Sequence, residues 1–157
     1  RPAIRALAQD YHQKRNWFFL ARGLFTPIAF EAALKMKEVT CLHAEGMAAG
    51  FLKHGTLSLV DDETPCVFLL PPKEDKDLFD LTMSSLEEVR ARNGRVIALG
   101  SDPVPGADAE ILLPKASSVI TPILHLVAAQ LLAYETALVL GRNIDRPRSL
   151  AKSVTVA

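Results

Sequence analysis

Four short apolar runs decide what this chain can fold into. WFFLARG (17–23), PCVFLLPP (65–72), RVIALGS (95–101) and AEILLP (109–114) are too short for core helices and carry no polar face. A strand that is apolar on both faces must be covered on both, the condition of a parallel sheet between helix layers. The stretches between them have helical character. Residues 3–15 put Ile4, Leu7, Ala8 and Tyr11 on one side. Residues 26–40 open on Thr26 and Pro27, a cap followed by a first-turn proline. Lys73 to Asn93 is amphipathic and closes at Asn93–Gly94, and Ser117 to Leu140 is strongly apolar and ends at Gly141. A further helical stretch is expected over Glu45 to Lys53, stopping at Gly55. Strands alternating with helices predict an α/β fold, a three-layer αβα sandwich around a parallel, doubly wound sheet of about four strands. Ligands of such sheets bind beyond the carboxyl ends of the strands. The polar residues after WFFLARG and the loop after VIALG are therefore expected to face the crevice.

The 157 residues suit one domain with a real core, expected to span 1–157. The 18 basic and 18 acidic residues cancel, so nothing marks a nucleic-acid or polyanion surface. Val119 to Leu140 is the longest apolar region, but His125, Gln130 and Glu135 interrupt it, so it reads as a buried helix and no membrane partner is expected. The charged, amphipathic start does not read as a signal peptide. The chain opens on Arg1 rather than methionine, as part of a longer protein would. Cys41 and Cys66 lack CxxC spacing and sit in apolar company, so both are expected as buried free thiols in a reducing, cytoplasmic setting. There is no GxGxxG or P-loop fingerprint. SDPVPG and KASSV come nearest to a phosphate cradle, and both are weak matches to one. The 142–157 tail is irregular, with two prolines and basic residues followed by β-branched ones.

The chemistry-bearing residues cluster between Glu31 and His54. In a helix, Glu31, Lys35 and Glu38 fall within about 60° of one another. Two carboxylates and an ammonium on one stripe beside apolar Phe30, Leu34 and Val39 can perturb each other's protonation, which proton-shuttling chemistry requires. The same spacing also describes an exposed salt-bridge stripe, with Lys37 marking the wet face. His43 and His54 come next, and a lone histidine is more often structural than catalytic. His54 stands out because it ends a helical stretch, with Gly55 allowing close approach of a ligand. Lys152 is a solvated charge if the tail is frayed. LAKSVTV is too apolar for a frayed terminus, and a docked tail would carry Lys152 into a site where it could attack a carbonyl.

FFLARGLFTPIAFEAALKMKEVTCLHAEGMAAGFLKHGTLSLVD and the ending GRNIDRPRSLAKSVTV resemble the second sugar-isomerase (SIS) domain of the glucosamine-6-phosphate synthases, the isomerising glutamine–fructose-6-phosphate aminotransferases. With the intervening strands, the resemblance covers nearly the whole chain. It implies an isomerase half-domain of an enzyme that converts fructose 6-phosphate and glutamine-derived ammonia to glucosamine 6-phosphate. By that resemblance Glu38 moves the proton between C1 and C2. His54 opens the sugar ring across a homodimer interface, and Lys152 forms a Schiff base with the open-chain ketose. Glu31 and Lys35 support the site, Arg148 lines it, and the 142–157 tail docks on it. The implied partners are the sugar phosphate, a first SIS domain that holds the phosphate loop, and a glutaminase domain. No metal or organic cofactor is implied, and the isolated fragment is expected to be inactive. Phe51 and Thr56 depart from the family, which commonly has glutamate before LKHG and proline after it. A tandem-SIS amino-sugar phosphate deaminase or deglycase and a non-catalytic sugar-phosphate-binding SIS module are the alternatives.

Overall fold

The computed structural model describes residues 1–148. Five strands form one parallel sheet: β1 (Asn16–Ala21), β2 (His43–Ala48), β3 (Pro65–Leu69), β4 (Arg95–Gly100) and β5 (Ala109–Leu112), in the order β2-β1-β3-β4-β5. Four helices cover it: α1 (Pro2–Tyr11), α2 (Thr26–Thr40), α3 (Lys76–Arg90) and α4 (Thr121–Val139). The apolar runs become strands because their side chains alternate between two cores. Trp17, Phe19 and Ala21 of β1 pack with α1, α2 and α4, whereas Phe18 and Leu20 pack on the other face with Leu86 and Val89 of α3. The three-layer, doubly wound arrangement expected from the sequence is therefore present.

Two expectations are corrected. The sheet has five strands rather than four, and the segment expected to be helical over Glu45–Lys53 is β2 followed by a 3-10 helix, Ala49–His54. The β2 segment HAEGMA has no strand-like composition; it is held extended by pairing along its whole length with β1, from Asn16↔His43 to Ala21↔Ala48. Gly46 fits this place because α2 lies directly on β2: a Cβ there would stand 2.4 Å from the Ala29 carbonyl oxygen. A third correction concerns Cys41, which is exposed rather than buried. It closes α2 in the left-handed conformation (φ 60°), donating its N–H to Lys37 O at 3.0 Å, and this turns its side chain away from the core. Cys66 is buried as expected, and burial pushes its thiol up to about 12.

The chain crosses from β1 to β2 in one direction and then returns to β3 on the other side of β1. Right-handed crossovers then send α2 and α3 to opposite faces, opening a crevice at the carboxyl ends of β1 and β3. Helix α4 is long and apolar enough to cross a membrane, but half of its most apolar stretch is buried in the layer it forms with α1 and α2. Its other side carries Ile123, Val127, Tyr134 and Leu138 outward.

Candidate active site

Helix α2 starts just beyond the carboxyl end of β1, and Pro27 supplies its first turn. Its inward face is small (Ala29, Ala32, Ala33, Met36), so the helix beds closely on the sheet. That choice leaves Glu31, Lys35 and Glu38 on the outward side, together as the spacing predicts. Lys35 Nζ lies 2.7 Å from Glu38 Oε2 and 3.4 Å from Glu31 Oε1. The hydrogen bond to Glu38 holds the Lys35 ammonium above the ordinary lysine range against a smaller opposing effect of burial, with the charges of Glu38 and Glu31 adding to it. All three side chains are partly covered, between about a quarter and a little over a third exposed. Phe30 and Leu34 flank them and are exposed at 54% and 42%. A bridged pair of carboxylates beside uncovered apolar surface is a polar group that another surface or a ligand can enclose.

His54 is the last residue of the 49–54 turn and is exposed, its ring tilted against Phe51 at 6.0 Å. Gly55 follows with φ 139°, a conformation that residues with a Cβ rarely adopt. The turn packs in the α3 layer through Ala49 and Leu52, while α2 belongs to the opposite layer. No hydrogen bond or ion pair joins His54 to Glu31, Lys35 or Glu38 among the described residues. His43 opens edge strand β2 at the amino end of the sheet and is exposed there, away from the crevice. Arg148 is exposed within the irregular stretch that follows α4. Lys152 and the remainder of the tail to residue 157 lie outside the described residues, and so does the expected docking of the tail.

The crevice residues anticipated after β4 are present. Asp102 accepts from Ser101 and pairs with Lys115 at 3.3 Å, and these contacts outweigh burial to hold its carboxyl below the usual range. A cavity of 410 Å³ opens nearby between the loop after β3 and the start of α4, lined by Pro72, Glu74, Asp75 and Ser117 among others. The two acids make it unsuited to a phosphate, which agrees with the lack of a cradle in KASSV. Among the described residues no group of three or more His, Cys, Asp or Glu side chains could hold a metal ion.

Arg22 escaped the sequence reading. It follows β1 directly, and its Nη2 donates to Ser85 Oγ of α3 at 2.8 Å while the Gly50 backbone lies against its guanidinium. Its position after WFFLA in a parallel sheet was the available signal, because the carboxyl end of a central strand is where such folds place their working residues.

The SIS domain family matches residues 10–140. The chain is 43% identical over 160 residues to the isomerising glutamine–fructose-6-phosphate aminotransferase of Thermus thermophilus, and 49% identical over 156 residues to that of Methanocaldococcus jannaschii. Both alignments cover 99% of this chain, which spans only 26% and 14% of those relatives. The C-terminal domain of glucosamine-fructose-6-phosphate aminotransferase from Francisella tularensis superimposes with a TM-score of 0.83 at 35% identity, over 91% of this chain and 41% of that one. The tagatose-6-phosphate ketose/aldose isomerase of Escherichia coli does so with a TM-score of 0.77 at 27% identity, over 92% and 42%. On sequence and architecture together, the chain belongs to the SIS domain family.

Proposed function

We propose that this chain is the C-terminal isomerase half of a cytoplasmic glutamine–fructose-6-phosphate aminotransferase, one SIS domain over 1–157 within a longer protein. The observation that carries the proposal is the Glu31–Lys35–Glu38 cluster, with Lys35 bridging both acids on the outward face of α2. The aminotransferase is favoured because, among superimposed structures, the 35% identity to the aminotransferase C-terminal domain exceeds 27% to the tagatose-phosphate isomerase and 22% to the glucosamine-6-phosphate deaminase of Thermotoga maritima.

In this reading His54 exchanges protons with the ring oxygen and the anomeric hydroxyl, releasing the open-chain ketose. Its place in the layer opposite α2 supports action in the site of a neighbouring subunit of a homodimer. Lys152, carried in by the docked tail with Arg148, condenses with the C2 carbonyl and releases water. Ammonia from the glutaminase domain displaces the lysine amine and leaves an imine at C2. Glu38 removes a proton from C1 and returns one to C2, while the C1 hydroxyl proton passes to the imine nitrogen, so that the carbonyl forms at C1 and the amine stays at C2. Lys35, firmly protonated, holds Glu38 and Glu31 in place and offsets charge as the proton moves. The sugar phosphate is held by the first SIS domain, for which the outward row of α4 is a suitable apolar seat. The sequence as written needs no metal or organic cofactor.

The test is Glu38→Gln in the full-length enzyme. Loss of glucosamine 6-phosphate formation by about 10²- to 10⁴-fold is expected for removal of the proton carrier. Unchanged conversion would overturn the assignment and favour a non-catalytic sugar-phosphate-binding module. Borohydride reduction in the presence of fructose 6-phosphate should label Lys152, and label on another lysine removes its imine role.

A further inference from the structure

The exposed His54 ring has no hydrogen bond among the described residues, so its place is set by whatever holds the 49–54 turn. Three contacts do so. Ala49 and Leu52 insert into the core beneath α3. Lys53 Nζ pairs with Glu88 Oε1 of α3 at 3.1 Å. The third is Arg22, a polar anchor that reaches from the end of central strand β1 to α3. Its Nη2 donates to Ser85 Oγ at 2.8 Å, and Ser85 is buried. Its Nη1 lies only 2.9 Å from the point where a Cβ on Gly50 would stand, so the guanidinium fills the space under the Gly50 backbone. Arg22 Nε is shielded from solvent and makes no hydrogen bond among the described residues. The group is therefore held as a spacer, by shape and one serine, rather than by full use of its donors.

We propose that Arg22 is the positioning residue for His54. Seated on Ser85, its guanidinium sets the height of the 49–54 turn above the carboxyl end of β1 and so fixes where the histidine is presented. A Cβ at position 50 would meet the guanidinium, so a side chain there shifts the spacer. The inference rests on the reading of His54 as the group that opens the sugar ring, and it assigns Arg22 an effect on that step alone.

The experiment uses the full-length enzyme and two substrates, fructose 6-phosphate and its 5-deoxy analogue. The analogue lacks the hydroxyl that closes the furanose ring, so it is permanently open-chain. Arg22→Met is expected to lower kcat on fructose 6-phosphate by about 10- to 100-fold, the size of effect that a misplacement of about 1 Å produces. On the analogue it should stay within about twofold of the unaltered enzyme. His54→Asn should show the same selectivity, and Arg22→Met should cost nothing further in the His54→Asn background. Gly50→Ala, a gentler displacement of the same guanidinium, should reproduce the selective loss and add little once Arg22 is Met. Equal losses on both substrates for Arg22→Met and Gly50→Ala, with His54→Asn still selective, would overturn the proposal and leave Arg22 a general structural residue. If His54→Asn itself is unselective, the ring-opening reading fails. Additivity then decides the positioning claim: non-additive losses retain it, additive losses overturn it.

Discussion

His125 ties the stability of this fold to pH between neutrality and about pH 5. It is fully buried on α4, with Nδ1 2.8 Å from Thr121 O, Nε2 2.9 Å from Leu99 O, and the ring edge-on to Phe25 at 5.0 Å. Two carbonyl oxygens favour an imidazolium, which alone could donate to both; burial opposes it, and burial is the larger effect, so the pKa is lowered. Unfolding exposes the ring, which then titrates at its ordinary value near 6.5. The unfolded chain thus takes up the proton first. The stability is fully present above about pH 6.5 and is lost as pH falls from there towards the lowered folded value. The loss at pH 5.0 has an upper limit, reached by a ring that stays neutral in the fold, of RT ln(1 + 10^1.5), about 2 kcal/mol, against about 0.1 kcal/mol at pH 7.5. That corresponds to a fall in Tm of about 4–8 °C for a chain of this size. His125→Gln keeps a donor for one carbonyl and removes the titration. Its absolute stability is not the readout; the difference between pH 7.5 and pH 5.0 is, measured by denaturant unfolding of both chains. The histidine chain should lose more stability than the glutamine chain over that interval, by up to about 2 kcal/mol. Equal slopes would refute the argument. A histidine chain that gains on the variant as pH falls would show that the two carbonyls outweigh burial.

Other consequences are open to direct measurement. At neutral pH a maleimide should label Cys41 alone, with Cys66 reacting only on unfolding, since its thiol is buried and pushed up to about 12; two equivalents of label on the native chain would contradict this. Cys41→Gly should stabilise the chain by about 1 kcal/mol in denaturant unfolding, because the left-handed C-cap of α2 suits glycine, and a loss of stability would mean that the thiol makes a contact of value. Leu52→Ala should cost about 2–5 kcal/mol, because the side chain is fully buried beneath α3, and a cost under about 1 kcal/mol would show that the turn is not anchored by its apolar side.

The parts of this fold that were legible in the sequence are those whose local composition agrees with their tertiary setting. The runs around Phe18, Val67 and Ile97 are apolar on both faces because both faces are covered, and nothing else in the chain looks like them. Helix α2 could be placed together with its outward charges, because the alanines of one face and the Glu31–Lys35–Glu38 stripe of the other share one period. Strand β2 was not legible. HAEGMA follows a helix, is rich in residues found in helices, and is extended only because β1 pairs with it. Cys41 was misplaced for a related reason: apolar neighbours suggest burial, but its backbone conformation at the end of α2 sends the side chain to solvent. Arg22 was marked only by its place after WFFLA, at the end of a central strand. Its importance comes from Ser85 and Gly50, which are distant in sequence from each other and meet only in the folded chain.

The outward row of α4 has a practical consequence. From Ile123 to Leu138 it forms an exposed, mostly apolar row roughly 22 Å long at 1.5 Å per residue, broken by Gln130. The formal net charge at neutral pH is zero, so no long-range repulsion keeps two such rows apart. Handled alone, the chain should be least soluble close to neutrality and should gain solubility from a few added acids on that row, which would leave both cores untouched. If the first SIS domain sits on α4 as proposed, the same substitutions would be a handicap in the longer protein, because they would charge that contact.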